Sequence, residues 1–287
     1  MRLAYPKQNI LDWITQQWNI VFGKKIRPKT APWLMGPFGA LNGISDKFVQ
    51  QLAASEGLVI TRNDKVRGLI PSLKDLNFTD EALSRLSPHI IDFYERTGSY
   101  QLGFSVKWNP LFRSFGTLVN LLFSNRINQL NIPTGNVSGQ QITSEIITLS
   151  DPDSGIVIYT VWYRTFRSTG RVLYSGIYTT CTLPSGKVCV KAIFPLPKGN
   201  ATVIMAPHIG PNGELRLDGS GKKFGDPGFY FLLNDSKDNV SSQYIRSFRD
   251  QLTISGCGEN IVAEQILTLW GMRVLRFNYS ISCGVSN

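Results

Sequence analysis

His89, Asp92 and Glu95 are the residues of this chain best spaced for chemistry. On a continuous helix, steps of three residues set their side chains near one edge. There a carboxylate can orient an imidazole for general acid or base work, or the three groups can share a metal ion. The same pattern arises from a solvated helix edge beside a buried Ile90, Ile91 and Phe93 face. The chain has 2 histidines, and His208, between Pro207 and Gly210, reads as a turn residue. The Gly-rich stretch Asp218 to Asp226 holds Lys222 and Lys223 but lies between strand patterns. It therefore lacks the strand-to-helix setting in which backbone amides and a helix terminus meet phosphates. The sequence contains no nucleophile elbow, dinucleotide fingerprint or zinc-ligand spacing, so no cofactor is expected.

The elements that would position these residues change character along the chain. Thr79 can cap a helix carrying Leu83, Leu86, Ile90, Ile91 and Phe93, which Pro88 kinks or splits because proline lacks the backbone donor. Before it, Trp13, Ile14, Trp18 and Val21 recur at helical spacing over about 8–22, and Ser45 can cap a helix carrying Phe48, Leu52 and Ala53. After it, Tyr100, Leu102, Phe104, Val106 and Trp108 alternate with Gln101, Gly103, Ser105, Lys107 and Asn109, the period of a half-buried antiparallel strand. Pro110 can open an apolar helix over about 110–130 through Leu111, Phe115, Leu118, Leu122 and Ile127.

From Gln141 onward, turn signals at 151–155, 168–170, 184–186, 197–200, 211–213 and 219–221 separate roughly nine strands, a meander long enough to curl or close. The fold class expected is α+β. N-terminal helices over 1–84 pack on a large antiparallel sheet over 85–287, curved or closed into a β-barrel, with one helix inserted at about 110–130. Tyr100, Phe104, Trp108, Tyr159, Trp162 and Tyr178 supply aromatic surface that can line a cavity. Glu145, Arg164 and Glu264 interrupt otherwise apolar strands, and any of them that turns inward needs a partner.

Composition narrows the function classes. The chain has 287 residues, 42% hydrophobic, and a net charge of +10, so it can bury a sizeable core and is attracted to phosphates. Its basic residues are dispersed apart from small groups such as Lys24, Lys25, Arg27 and Lys29 or Lys222 and Lys223, a pattern that fits a solvated basic surface first, then an anionic membrane surface, and nucleic acid last. Pro6, Lys7 and Gln8 interrupt any leader-like apolar core, and Arg113, Ser114, Gly116 and Asn120 break the run from Leu111 to Phe123 below the roughly 20 residues that span a bilayer. A cytoplasmic location, with peripheral membrane contact, is expected. Cys181, Cys189, Cys257 and Cys283 have no metal-binding spacing and are expected as free thiols. Cys181 and Cys189 could face one another only through a one-residue bulge.

Three stretches resemble a known family: Asp92-Phe93-Tyr94-Glu95-Arg96-Thr97, then Trp108 with Phe112-Arg113-Ser114-Phe115, then Asn125 to Pro133. With Ile193 to Pro197, Gly225 to Tyr230 and Leu269 to Met272, they are similar to the soluble region of YndJ-like uncharacterised bacterial proteins over about 85–281. The resemblance implies a coherent domain that family members can carry beside an integral membrane part, and it transfers no catalytic residue. The expected function is a noncatalytic domain for a hydrophobic ligand or lipid, with Tyr100, Phe104, Trp108, Tyr159, Trp162, Arg164 and Tyr178 at the ligand. The alternatives are an enzyme built on His89, Asp92 and Glu95, and a module that docks on a membrane surface or a protein through the Leu111 to Phe123 helix.

Overall fold

The computed structural model describes residues 4, 10–39, 47–112, 132–133, 136–235, 237 and 239–284. The helices among them are α1 (Ile10–Phe22), α2 (Lys47–Glu56), α3 (Asp80–Arg85) and α4 (Pro88–Glu95). Two short strands, β1 (Lys24–Ile26) and β2 (Val59–Thr61), lie between them. The main series follows as β3 (Tyr100–Trp108), β4 (Val137–Ser150), β5 (Val157–Phe166), β6 (Val172–Thr182), β7 (Val188–Leu196) and β8 (Gly199–Ile209). It continues as β9 (Leu215–Asp218), β10 (Gly228–Asn234), β11 (Val240–Tyr244), β12 (Phe248–Cys257), β13 (Asn260–Leu269) and β14 (Met272–Cys283). Eleven strands thus follow residue 136, two more than expected, because β9 and β11 are too short to stand out as runs in the sequence.

Ten of these strands close into an antiparallel barrel in the order β8, β7, β6, β5, β4, β3, β14, β13, β12, β9, with β9 returning to β8. The meander supplies most neighbours directly, and the ring is completed where β14 pairs with β3 from Leu275↔Trp108 to Cys283↔Tyr100. β8 uses one edge twice. Ala206 to Ile209 pair with β9, while Gly199 to Ile204 pair with β10, which carries β11 and β1 outward. β10 and β12 therefore meet without hydrogen-bonded pairing, and Phe229 and Phe248 face each other across that seam with ring centroids 5.0 Å apart. A register shift between Phe104 and Val106 is accommodated on β4 by Gly139 at φ +67°, and such bulges bend a strand sharply enough to help a sheet close.

Both faces of the sheet are covered in part. Leu102, Phe104, Val106, Ile142 and Ile146 point inward and join Ile90, Phe93 and Tyr94 of α4 in the main core. Phe48, Val49, Leu52 and Ala53 of α2 pack on the outer face against Ile147, Leu149, Val161, Ile177 and Ile193. Each fully buried aliphatic side chain of this kind stabilises by about 1.5–3 kcal/mol. A third cluster seats Trp33 and Leu34 against Cys189, Ile204, Tyr230 and Leu232. Pro88 splits the third helical segment in two, with the Thr79 hydroxyl accepting from the Ala82 amide at 3.2 Å to cap α3. Ser45 and the inserted helix expected over 110–130, from 113 onward, lie outside the described residues.

Candidate functional site

Among the described residues, the barrel interior is not filled. One end is plugged by α4 with Leu69, and from there toward α1 a cavity of about 450 Å³ opens, continuous in its lining with a smaller one of about 90 Å³. The larger chamber is walled by Phe104, Leu173, Phe194, Ala201, Val203 and Phe277, with Phe229, Phe231 and Phe248 at the seam. Its size is in the range of small-molecule sites.

A polar layer separates the two chambers. Arg164, only 6% exposed, lies between the rings of Trp162 and Tyr174, 4.1 Å and 4.2 Å from their centroids, with Tyr279 at 5.7 Å. Its Nε is buried with no hydrogen-bond partner, and among the described residues no carboxylate lies within ion-pair distance of it. Asp250, equally buried, receives both of its hydrogen bonds from the Gln265 amide, 2.9 Å to each oxygen. Burial pushes the Asp250 carboxyl up to about 6. The Tyr279 hydroxyl donates to Gln265 Oε1 at 3.3 Å, and burial raises the Tyr174, Tyr178 and Tyr279 hydroxyls above their ordinary values.

The residues expected at a ligand divide by strand parity. Phe104 and Arg164 line the larger chamber, while Trp162, Arg164 and Tyr178 line the smaller one. Tyr100 also faces inward, but its hydroxyl is tied to Asp92 Oδ2 at 2.8 Å. Trp108 closes the far end of β3, its indole donating to the Pro133 carbonyl at 2.7 Å. Tyr159 stands on the outer face, packed in the α2 cluster and donating to Glu56 at 3.2 Å, because an odd position on β5 points away from the side that carries Trp162 and Arg164. Of the three charges that interrupt strands, Arg164 alone lines the cavity; Glu145 pairs with Arg62 at 3.1 Å and Glu264 pairs with Arg276.

His89, Asp92 and Glu95 are drawn to separate partners. His89 is exposed. Asp92 accepts from Tyr100 and pairs with Arg96 at 3.6 Å. Glu95 Oε1 accepts from the Ser72 hydroxyl and the Leu73 amide, both at 2.9 Å, which fixes the start of the 3₁₀ turn Leu73–Leu76. Among the described residues, no group of three or more His, Cys, Asp or Glu side chains is placed to hold a metal ion. His208 lies within β8 opposite Arg216 instead of in a turn. Cys181 and Cys189 face each other directly as a cross-strand pair, both buried and free, because the intervening turn places Gly186 at φ +83°.

Sequence reasoning missed Tyr174, Tyr279, Asp250, Gln265 and the phenylalanines of the seam. Asp250 carried a readable signal: Phe248, Leu252 and Ile254 share its parity, so it interrupts an apolar strand face just as Arg164 does.

The outer side of the chamber is crossed by α1, and α1 is turned inside out. Gln16 donates to the Pro197 carbonyl at 3.0 Å and Asn19 to the Phe231 carbonyl at 3.3 Å, so its polar residues are buried against the barrel. Val21 and Phe22 are 57% and 69% exposed, and Trp13, Ile14 and Trp18 are exposed as well. Exposed Lys24, Lys25, Arg27 and Lys29 follow directly.

The chain is similar to a curated protein, the uncharacterized membrane protein YndJ of Bacillus subtilis (strain 168), at 24% identity over 242 residues. The match covers 83% of this chain and 41% of that protein, so the chain spans about two fifths of its relative. The resemblance to YndJ-like proteins is thus shown, and it is longer than the stretch 85–287, so it takes in part of the helical N-terminal region. No family model matches the chain, and no solved structure matches it. Among the described residues no helix is long and apolar enough to cross a membrane.

Proposed function

We propose that this YndJ-like barrel is a noncatalytic binding domain for a hydrophobic small molecule or lipid. One observation carries the reading: a chamber of about 450 Å³ inside the barrel, walled mainly by apolar side chains. A core of this type is ordinarily packed to the density of an organic crystal, and an apolar pocket of this size with a few convergent polar groups is the usual form of a small-molecule site. Native mass spectrometry of the purified protein, with denaturing extraction of whatever is released, tests it. A stoichiometric apolar adduct is the expected result, either on the protein as isolated or after incubation with a bacterial lipid extract. An apo mass unchanged by that incubation overturns the reading.

A second reading, docking on an anionic membrane surface, is favoured by α1. Its exposed Trp13, Ile14, Trp18, Val21 and Phe22 lie next to a basic cluster, the combination by which interfacial helices hold acidic bilayers. The Bacillus subtilis relative is named a membrane protein, which is consistent with this. The site of action we propose is a membrane surface on its cytoplasmic side, with nucleic acid an unfavoured partner. The two readings are compatible, since the same helix borders the chamber. Cosedimentation with phosphatidylglycerol vesicles is expected at low salt and is expected to weaken as salt is raised.

A further inference from the structure

Arg164 is a buried cation inside the barrel, and among the described residues no carboxylate pairs with it at ion-pair distance. Removing a charge from water costs several kcal/mol unless an opposite charge and hydrogen bonds replace the solvent. The Trp162 and Tyr174 rings lie 4.1 Å and 4.2 Å from the guanidinium and cover its faces, so its N–H donors must find partners along the edge, where the Tyr279 hydroxyl is one. Nε has none. Asp250, which lines both chambers with Arg164, is turned to Gln265, which donates to both of its oxygens, and it forms no ion pair with Arg164. The guanidinium lines the 450 Å³ chamber beside Asp250, Gln265 and Tyr279, and the wall beyond that polar layer is mainly apolar up to Thr15, Gln16 and Asn19 of α1.

We infer that the ligand of this barrel is an apolar molecule with one anionic head group, a carboxylate or a phosphate, and that Arg164 receives that head at the floor of the larger chamber while the apolar part extends toward α1 and the Phe229–Phe248 seam. A guanidinium edge matches either oxyanion in a two-pronged hydrogen-bonded geometry. This inference rests on the binding-domain reading and specifies the chemistry of its ligand.

The test compares palmitate, hexadecyl phosphate and hexadecanol, which share one chain and differ at the head, titrated into the delipidated protein at pH 8 and followed by tryptophan fluorescence. Palmitate or hexadecyl phosphate is expected to bind at least tenfold more tightly than hexadecanol, and whichever acid binds better identifies the head group as carboxylate or phosphate. In Arg164→Met that preference is expected to vanish while hexadecanol binding persists. If Arg164→Met does not fold, as judged by circular dichroism, Arg164→Lys takes its place and is expected to keep a reduced preference for the acids. Equal affinity for all three probes in the unsubstituted protein, or a preference that survives Arg164→Met, overturns the inference and leaves the binding-domain reading standing. Binding of none of the three overturns both.

Discussion

Burial raises the Asp250 carboxyl to about 6, and that shift makes stability depend on pH. The unfolded chain holds this proton only up to the ordinary carboxylate value of about 4, so between about 4 and 6 the folded protein binds more protons than the unfolded one. Stability is then full below about 4 and falls as pH rises through about 6, by an amount on the order of 3 kcal/mol. Asp250→Asn is expected to remove this fall and to unfold at higher urea than the unsubstituted protein at pH 8, with the gap closing by pH 4. The α4 edge gives a contrasting pair. Glu95→Ala deprives the Ser72 hydroxyl and the Leu73 amide of their acceptor and is expected to cost about 1–3 kcal/mol. His89→Ala, at an exposed position, is expected to leave the denaturation midpoint unchanged. A three-residue spacing thus located a real helix edge, but what each carboxylate faces is decided by Tyr100 and by the 72–76 segment, and no local spacing reports that. Arg164 was legible as a charge on an aromatic strand face. Its neighbours Tyr174 and Tyr279 were not, because Tyr174 depends on the register of the β5–β6 hairpin and Tyr279 arrives from β14 only when the ring closes.

At the scale of elements, helical periodicity found α1 and strand alternation found β3, but periodicity does not say which side of an amphipathic helix is covered. Trp13, Ile14, Trp18 and Val21 mark one face of α1, and the structure buries the opposite, polar one through Gln16 and Asn19. The side chains of that polar face satisfy carbonyls at Pro197 and Phe231, which offsets the lack of apolar burial. Substituting both Trp13 and Phe22 by serine is therefore expected to reduce vesicle cosedimentation severalfold while leaving thermal stability intact, because neither ring is buried. The segment from Trp33 to Met35 is held differently. Lys191 Nζ donates to the Trp33 and Met35 carbonyls at 3.2 Å and 2.9 Å, and burial lowers its pKa. Lys191→Met is expected to leave both carbonyls unpaired and to destabilise by about 1–3 kcal/mol in urea unfolding.

For the whole molecule, the turn signals and the run of alternating strands were enough to indicate closure, since a long twisted meander has few other ways to hide its edges. What local pattern could not supply was the partner of β3, the double use of the β8 edge, or the seam that follows from it, all of which depend on pairings far apart in sequence. Those pairings also set an order of events. β3 pairs with β4 on one edge but must wait for β14 on the other, as Tyr100 lies opposite Cys283. A chain ending at Gly271 is accordingly expected to give aggregated protein without a cooperative unfolding transition, read by analytical sedimentation and urea titration. At ordinary synthesis speeds of about 5–20 residues per second, the interval between making these two strands is on the order of 10–40 seconds. During that time the nascent chain presents a nine-residue aromatic strand with one edge bare on the ribosome, a hazard that a folding helper able to shield strand edges would relieve and that crowded, high-level expression would aggravate.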